Sequence, residues 1–312
     1  MSRSADSLKP HAALVAVQFF FGTWPIVGKY ALRALPSTGL VALRMAGAAL
    51  ALVALRRLTG GSLRVERRSD YARLALYSLL GVVLNQLFYT RGLALSTAIN
   101  ATILSTTIPI ATLLVSLFMG NERPTPRVFV GMAVAAAGVV YLVNPAHADL
   151  SRDTMIGNLL LVLNTLCYGA YIAVSQDAIR RYGALTVITW VFLLGCVVTV
   201  PLGGYYLAQT PMTHLGAGVW LALVYIILVP TVGAYYLNAW ALGRVAPSTV
   251  AIYIYLQPLF AFALAPLLLG ERLNPRTGLA TLLIFAGVAL VTLRSRSPAV
   301  EEVSERPEAL GR

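Results

Sequence analysis

The sequence ERPTPR at Glu122–Arg127 returns as ERLNPR at Glu271–Arg276, 149 residues further along the chain. Pro109, upstream of the first copy, returns in the same register as Pro258. Each copy lies between two apolar stretches that are long enough to cross a bilayer. If each half of the chain contains an odd number of crossings, the two halves lie upside down relative to each other in the membrane.

The composition indicates a membrane protein. The chain has 312 residues, of which 58% are hydrophobic and 12% charged, and its mean hydropathy is +0.75. A soluble domain carries about 25% charged residues. The net charge of +12 also occurs in nucleic-acid-binding proteins. Here, however, the arginines cluster in short loops between apolar segments, where they orient a membrane protein, so no nucleic-acid partner is predicted.

Ten apolar segments of about 20 residues follow one another, each long enough for a bilayer core of about 30 Å. They predict an all-α polytopic membrane protein with ten transmembrane helices, arranged as two inverted five-helix repeats. The first repeat covers 1–143, an outer linker 144–154, the second repeat 155–293 and a disordered cytoplasmic tail 294–312. The predicted helices span 12–32, 37–56, 71–92, 97–118, 126–143, 155–176, 184–207, 216–238, 248–268 and 275–293.

The lysines and arginines predict the direction in which the chain crosses. With the N-terminus inside, 17 of the 24 fall on the inner side and six on the outer side, while Arg44 lies within the second segment. Positively charged loops remain in the cytoplasm. Both termini are therefore predicted to be cytoplasmic.

The two copies of the repeat share signals for the start of a helix. Thr125 and Asn274 are good N-cap residues, and Pro126 and Pro275 follow them at the first helical position. The fifth and tenth predicted helices therefore begin in the same way.

Pro109 and Pro258 fall in the middle of the fourth and ninth segments. A proline there releases a backbone carbonyl group and bends the helix. The matched pair predicts kinked or gating helices beside a cavity at the interface between the halves. The alternative is that both prolines bend their helices for packing alone.

Polar side chains are costly inside a bilayer, so they mark candidate substrate contacts. They are concentrated in the first, third, fourth, sixth, eighth and ninth segments, whereas the other four carry small residues that suit close helix packing. The predicted substrate-binding residues are Gln18, Trp24, Asn85, Gln86, Tyr89, Asn100, Asn164, Tyr168, Tyr171, Tyr235, Asn238, Tyr253 and Gln257.

Lys29 and Arg44 have no acidic partner within their segments. Either their side chains reach the interface or backbone carbonyl groups, or they attract an anionic group of a substrate. None of the 12 carboxylates falls at the centre of a predicted helix, which argues against tight proton coupling. Cys167 and Cys196 lie within apolar runs, and catalytic motifs are missing, so no catalytic residue, metal or cofactor is predicted.

From about residue 10 to residue 295, the chain resembles the EamA-type members of the drug/metabolite transporter superfamily. This resemblance implies ten helices in two inverted repeats, cytoplasmic termini, and export of amino acids or other small metabolites. The residues that carry it are Phe20–Trp24, Lys29 and Arg44, then Tyr89, Pro109 and Glu122-Arg123, and finally Tyr236, Gln257-Pro258 and Gly270–Arg272.

We therefore predict a carrier of the cell inner membrane, and not an enzyme, that exports a small metabolite or facilitates its diffusion by alternating access. An amino acid is the first hypothesis, because tyrosines are abundant in the predicted lining. Alternatives are an organic-anion carrier that uses Lys29 and Arg44, or, from a different class, a membrane enzyme or structural subunit. The chain is predicted to act as a monomer or weak homo-oligomer, while substrate identity, direction and proton coupling remain open.

Overall fold

The computed structural model describes residues 2–96, 98–120, 125–143, 151–210, 215–260 and 275–292. These residues form helices and connecting turns, with no strand among them, which agrees with the predicted all-α polytopic membrane protein. Three predicted features lie wholly or mostly outside the described residues: the Glu-Arg pairs of the repeated phrase, the outer linker, and the tail.

The described residues contain eleven labelled helices. In chain order they are α1 (Ser2–Leu32), α2 (Ser37–Leu58), α3 (Arg68–Leu95), α4 (Ala98–Ser105), α5 (Ile108–Phe118), α6 (Pro126–Val143), α7 (Arg152–Tyr182), α8 (Ala184–Ala208), α9 (Ala217–Leu242), α10 (Pro247–Ile252) and α11 (Pro275–Thr292).

Six of these helices are long and apolar enough to cross a membrane within the described parts of the chain: α1 from Leu8 onward, α2, α3, α7, α8 and α9. They correspond to six of the ten predicted segments. α5, α6 and α11 contain shorter apolar stretches. α6 and α11 both begin at the proline that the repeated helix-start signal specifies, because a proline fits the first turn, where its missing N–H group is not needed.

The fourth predicted segment is not one continuous helix. α4 ends at Ser105 and α5 begins at Ile108, with Thr106 and Thr107 in a turn between them. Pro109 follows directly, and its ring would clash with the carbonyl group four residues earlier in an unbroken helix. The Thr107 hydroxyl also donates to the Leu104 carbonyl oxygen (2.7 Å), a local bond that competes with regular helix formation.

The ninth predicted segment is irregular at the equivalent place. α10 passes into a 3₁₀ turn over Tyr253–Leu256, and residues 257–260 are helical again. Pro258 again follows the irregular turn. Both proline-bearing stretches therefore depart from α-helical geometry immediately before the proline.

Two of the long helices contain a π-helical turn, which inserts an extra residue into the helix. In α3 it covers Leu79–Leu84, and in α9 it covers Ile227–Gly233. Shifted by the repeat offset of 149 residues, the first turn falls on 228–233. Such turns occur mostly at functional sites.

Small residues allow helices to pack closely. α6 and α11 cross at Gly131 and Gly287, where a Cβ atom on Gly287 would lie 2.6 Å from the Gly131 carbonyl oxygen. α3 and α7 cross at Gly92 and Gly157, where a Cβ atom on either glycine would lie within 2.9 Å of the other's carbonyl oxygen. The second crossing brings α3 and α7 into close contact, with their backbones near each other.

Candidate functional site

A cavity of about 50 Å³ lies between α1, α2, α3, α4, α5, α7, α9 and the stretch 257–260 and is called the central cavity here. Polar and aromatic side chains dominate its wall, and no aspartate or glutamate among the described residues contributes to it. Its lining consists of Phe21, Trp24, Arg44, Asn85, Gln86, Tyr89, Ser105, Ile108, Asn164, Tyr168, Tyr235 and Gln257.

Of the described residues in this wall, only Arg44 is charged, and its side chain is almost completely enclosed, with 1% exposed. Its Nη1 donates to Gln86 Oε1 (2.6 Å), and its Nη2 and Nε donate to Thr231 Oγ1 (2.9 and 3.2 Å). The guanidinium carbon lies 3.9 Å from the centre of the Trp24 ring, a cation–π contact. No carboxylate pairs with Arg44 among the described residues.

A guanidinium group held by neutral partners retains a net positive charge in a low-dielectric setting. Three hydrogen bonds and the Trp24 face lower the cost of burying Arg44, but they do not neutralise its charge, and a guanidinium group has five N–H donors in all. The arrangement is therefore suited to receiving an anionic group, which would form charge-assisted bonds with Arg44.

Gln86 and Tyr235 connect the two π-helical turns. Gln86 Nε2 donates to the Tyr235 hydroxyl and to Asn85 Oδ1 (2.7 Å). The Tyr235 hydroxyl in turn lies 3.1 Å from Asn85 Oδ1 and 3.2 Å from the Gly81 carbonyl oxygen, and donates toward them. Because Gln86 and Tyr235 are 149 residues apart, each occupies the other's place in the repeat.

Aromatic rings form a second part of the wall. Tyr168 stacks on Tyr171 with ring centres 5.9 Å apart, and Phe21 packs edge-on against both Tyr168 and Tyr235. Tyr89 stacks on Trp24 at 6.1 Å. The cavity thus offers flat apolar surfaces beside a cation, which suits an amphipathic ligand.

Two polar pairs join α1 to the stretch around Pro258. Gln257 Nε2 donates to Gln18 Oε1 (2.8 Å), and His11 Nδ1 lies 2.7 Å from the Tyr253 hydroxyl. Only Gln257 of these four reaches the central cavity. The other three lie outside its wall, and we call these two pairs the α1 seam.

At one end of the α3–α7 pair, Lys29 donates to the Ser96 carbonyl oxygen. The Ser96 hydroxyl donates to Asn158 Oδ1 (2.6 Å) and accepts from Asn100 Nδ2 (3.2 Å). We call these four residues the Lys29 cluster. It ties α1, α3, α4 and α7 together away from the central cavity.

At the opposite end of the pair, Asp70 accepts from Arg181 Nη1 (3.2 Å) and from the Tyr182 hydroxyl. Arg181 also lies 3.4 Å from Asp177, and Arg73 lies 3.7 Å from the same carboxylate. We call these five residues the Asp70 cluster. Both ends of the α3–α7 pair are therefore held by polar contacts.

The structure brings nine of the predicted residues into the wall of the central cavity: Trp24, Arg44, Asn85, Gln86, Tyr89, Asn164, Tyr168, Tyr235 and Gln257. The others lie outside the wall. Gln18 and Tyr253 form hydrogen bonds within the α1 seam, and Lys29 and Asn100 belong to the Lys29 cluster. Tyr171 and Asn238 contact Tyr168 without reaching the cavity. Pro109 and Pro258 are buried beside the helix interruptions.

Sequence reasoning missed Phe21, Ser105, Ile108 and Thr231. Phe21 lies three residues before Trp24, so helical spacing alone places it on the same face. Thr231 carries no such signal, because small hydroxyl residues are common in packed helices. Its role depends on the π-helical turn that aims it at Arg44. Within the described residues, no group of three or more His, Cys, Asp or Glu side chains could hold a metal ion.

Comparisons with known proteins identify the family of the chain. The model of the EamA-like transporter family matches the chain twice, at residues 8–144 and 155–293. An uncharacterized transporter of Archaeoglobus fulgidus is 29% identical over 72% of this chain and 78% of its own. The uncharacterized inner membrane transporter YicL of Salmonella typhimurium is 25% identical over 74% of this chain and 76% of its own.

More distant similarity extends to plants and to a solved structure. A WAT1-related protein of Arabidopsis thaliana is 23% identical over 70% of this chain and 67% of its own. A crystal structure described only as that of a protein superposes with a TM-score of 0.75 at 20% identity, covering 94% of this chain and 99% of that one. At this identity, the match supports the fold alone.

Proposed function

Because the chain belongs to the EamA-like transporter family, it is a membrane transporter and not an enzyme, and we propose that it carries a small carboxylated metabolite by alternating access. Its partners are a small-molecule substrate and the lipid bilayer. The observation that carries the proposal is Arg44, which is enclosed in the wall of a polar and aromatic cavity without a carboxylate partner among the described residues.

The proposed architecture is ten transmembrane helices in two inverted five-helix repeats, divided at the linker 144–154. Three observations support it: the family model matches twice, the two π-helical turns fall at equivalent positions, and Gln86 bonds to its own repeat equivalent, Tyr235. Residues on a pseudo-two-fold axis meet their equivalents. This axis would lie in the membrane plane, at the level of the central cavity.

We place both termini in the cytoplasm and the protein in the cell inner membrane. The distribution of arginines and lysines supports the orientation, and the name of the Salmonella relative, an inner membrane transporter, supports the location. In this orientation, the Asp70 cluster faces the cytoplasm and the Lys29 cluster faces outward.

An amino acid is our first candidate substrate, and export our preferred direction. Its carboxylate would bind Arg44, and an apolar or aromatic side chain would lie against Phe21, Tyr168 and Tyr235. The second candidate is an organic anion, which the uncompensated charge of Arg44 favours equally. Lys29 would take no part in either case, since its ammonium group is committed to the Ser96 carbonyl oxygen in the Lys29 cluster.

The size of the cavity supports the proposed alternating access. Ligand pockets occupy about 300–1,000 Å³, whereas the central cavity has about 50 Å³. A metabolite can enter only if the wall opens. In the proposed cycle the Lys29 cluster and the Asp70 cluster separate in turn, and the irregular turns before Pro109 and Pro258 absorb the movement.

The experiment is flux from proteoliposomes across a panel of amino acids, organic anions and uncharged analogues, each with and without a proton gradient. We expect saturable flux for carboxylated compounds and none for matched amides. Gradient-independent flux would indicate facilitated diffusion. Equal flux of the carboxylates and their amides would contradict the role of Arg44, and no flux of any compound would contradict the proposed class of substrate.

A further inference from the structure

A second, larger cavity of about 680 Å³ lies away from the central cavity, where α2 and α9 end and α7 turns into α8. Three arginines line it, one from each of these places: Arg56, Arg180 and Arg244. No aspartate or glutamate lines it within the part of the chain that the structure describes. We call it the basic cavity.

Two of these arginines are held in place while most of their donors stay open. Arg56 Nε and Nη2 both donate to the Ser62 carbonyl oxygen (3.2 and 2.9 Å). Arg244 Nη1 donates to the Trp240 carbonyl oxygen (2.8 Å), and its guanidinium carbon lies 3.9 Å from the centre of the Trp240 ring. A guanidinium group has five N–H donors, so each retains several for a ligand.

None of the three arginines pairs with a carboxylate in the described part of the chain, although acidic residues are close in sequence. Asp177 pairs instead with Arg73 and Arg181. Arg180 and Arg181 are neighbours in the sequence, but of these two only Arg181 has a carboxylate partner among the described residues. The charge of Arg180 is therefore left uncompensated beside Arg56 and Arg244 in the basic cavity.

The α7–α8 turn adds neutral donors to the same wall. Gly183 adopts φ +82°, and α8 begins directly after it with no side-chain cap. Ala184, Leu185 and Thr186, the first residues of this 25-residue helix, line the cavity. The first turn of a helix has N–H groups without partners within the helix and carries the positive end of the helix dipole. The side chain of Thr186 in this wall, which carries a hydroxyl group, is only 2% exposed.

We propose that the basic cavity binds a phosphate-type anion at the membrane surface. Three guanidinium groups, a helix N-terminus and a buried hydroxyl are the donors that phosphate oxygens require. The site lies at helix ends, at headgroup depth, beside the amphipathic rings of Trp240 and Tyr236. The anion comes either from an anionic phospholipid headgroup or from a soluble phosphate ester, and the volume admits both.

The experiment measures binding to the purified full-length protein in zwitterionic detergent, without a transport assay. The probes are dihexanoyl phosphatidylglycerol, dihexanoyl phosphatidylcholine and glycerol 3-phosphate, followed by the shift in the thermal unfolding midpoint. The test variant is R56Q/R180Q/R244Q. The matched control is R33Q/R91Q/R152Q, which removes three exposed arginines that lie outside the basic cavity.

We expect saturable binding of phosphatidylglycerol by the wild type, weakened at least tenfold in the test variant and less than twofold in the control. Binding of glycerol 3-phosphate at similar affinity would support the site with a soluble ligand. Equal binding of phosphatidylcholine, equal loss in both variants, or no saturable binding of any probe would overturn it.

A conservative variant keeps the test valid if the triple variant does not fold. Thr186→Val removes one hydroxyl group at nearly constant volume, and we expect it to weaken the anion about threefold. Unchanged affinity in Thr186→Val together with unchanged affinity in each single arginine variant would also overturn the proposal. Because binding is measured without flux, its failure leaves the proposed function untouched.

Discussion

The central cavity and the basic cavity both use arginine, but they hold it in opposite ways. Arg44 is enclosed, with 1% of its surface exposed, and its guanidinium group is held by three hydrogen bonds and an aromatic face. Arg180 and Arg244 in the basic cavity are exposed. The enclosed cavity measures about 50 Å³ and the open one about 680 Å³.

In the architecture that we propose, the difference follows from depth in the membrane, with the central cavity near the middle of the bilayer and the basic cavity at its surface. At mid-membrane there is no water to hydrate a cation, so the protein must supply every partner of Arg44 from its own helices. At a helix end, water and headgroups supply them. At a site where the protein supplies the partners of an arginine, a ligand binds in contact with protein alone. At a site where the N–H donors of an arginine are open, a ligand must replace the water that is bound to them.

The largest effect is expected for Arg44→Gln. Losing a charge-assisted contact removes about 1.5–3 kcal/mol, which corresponds to a KM for a carboxylated substrate that is roughly 10- to 150-fold higher. Flux in proteoliposomes measures it, with membrane abundance as the control. Arg44→Lys should be intermediate, because it keeps the charge but loses the fork that reaches both Gln86 and Thr231. Full activity of Arg44→Gln on carboxylated substrates would contradict the role of Arg44 and with it the contrast between the two cavities.

Smaller effects are expected in the neutral part of the same wall. Gln257→Ala breaks the bond to Gln18, and Tyr168→Phe removes the hydroxyl group that accepts from Asn238. Each neutral bond contributes about 0.5–1.5 kcal/mol, so flux should fall roughly 2- to 12-fold at unchanged membrane abundance. Unaltered transport kinetics in both variants would contradict the assignment of Gln257 and Tyr168 to the substrate site.

The smallest effect on transport is expected for Arg244→Gln in the basic cavity. Its guanidinium group is exposed and bonds only to the Trp240 carbonyl oxygen among the described residues. Stability should change by less than about 0.5 kcal/mol, and flux in purely zwitterionic liposomes should stay within twofold of wild type. A loss of flux as large as that of Arg44→Gln would show that the two cavities do not have separate roles.

The long helices were predictable because a bilayer imposes a simple rule on sequence. The segments 37–56 and 184–207 agree with α2 and α8 to within a residue or two at each end. The fourth segment was less predictable. The sequence located Pro109, but the turn at Thr106 and Thr107 also depends on local hydrogen bonds, such as that from the Thr107 hydroxyl to the Leu104 carbonyl oxygen. The pattern of hydrophobic residues does not predict such bonds.

The sequence by itself determined the apolar segments, the offset of 149 residues and most of the polar residues of the central cavity, because a polar side chain in lipid is costly wherever it occurs. Only the tertiary structure decided which of them share a cavity. In the structure, Lys29 and Arg44 lie in different places, and a π-helical turn brings Thr231 into contact with the guanidinium group of Arg44. Arg56, Arg180 and Arg244, which are distant in sequence, lie together in the basic cavity. Such groupings depend on how helices cross, and helix crossings are set by close contacts such as that of Gly92 with Gly157, which no local pattern specifies.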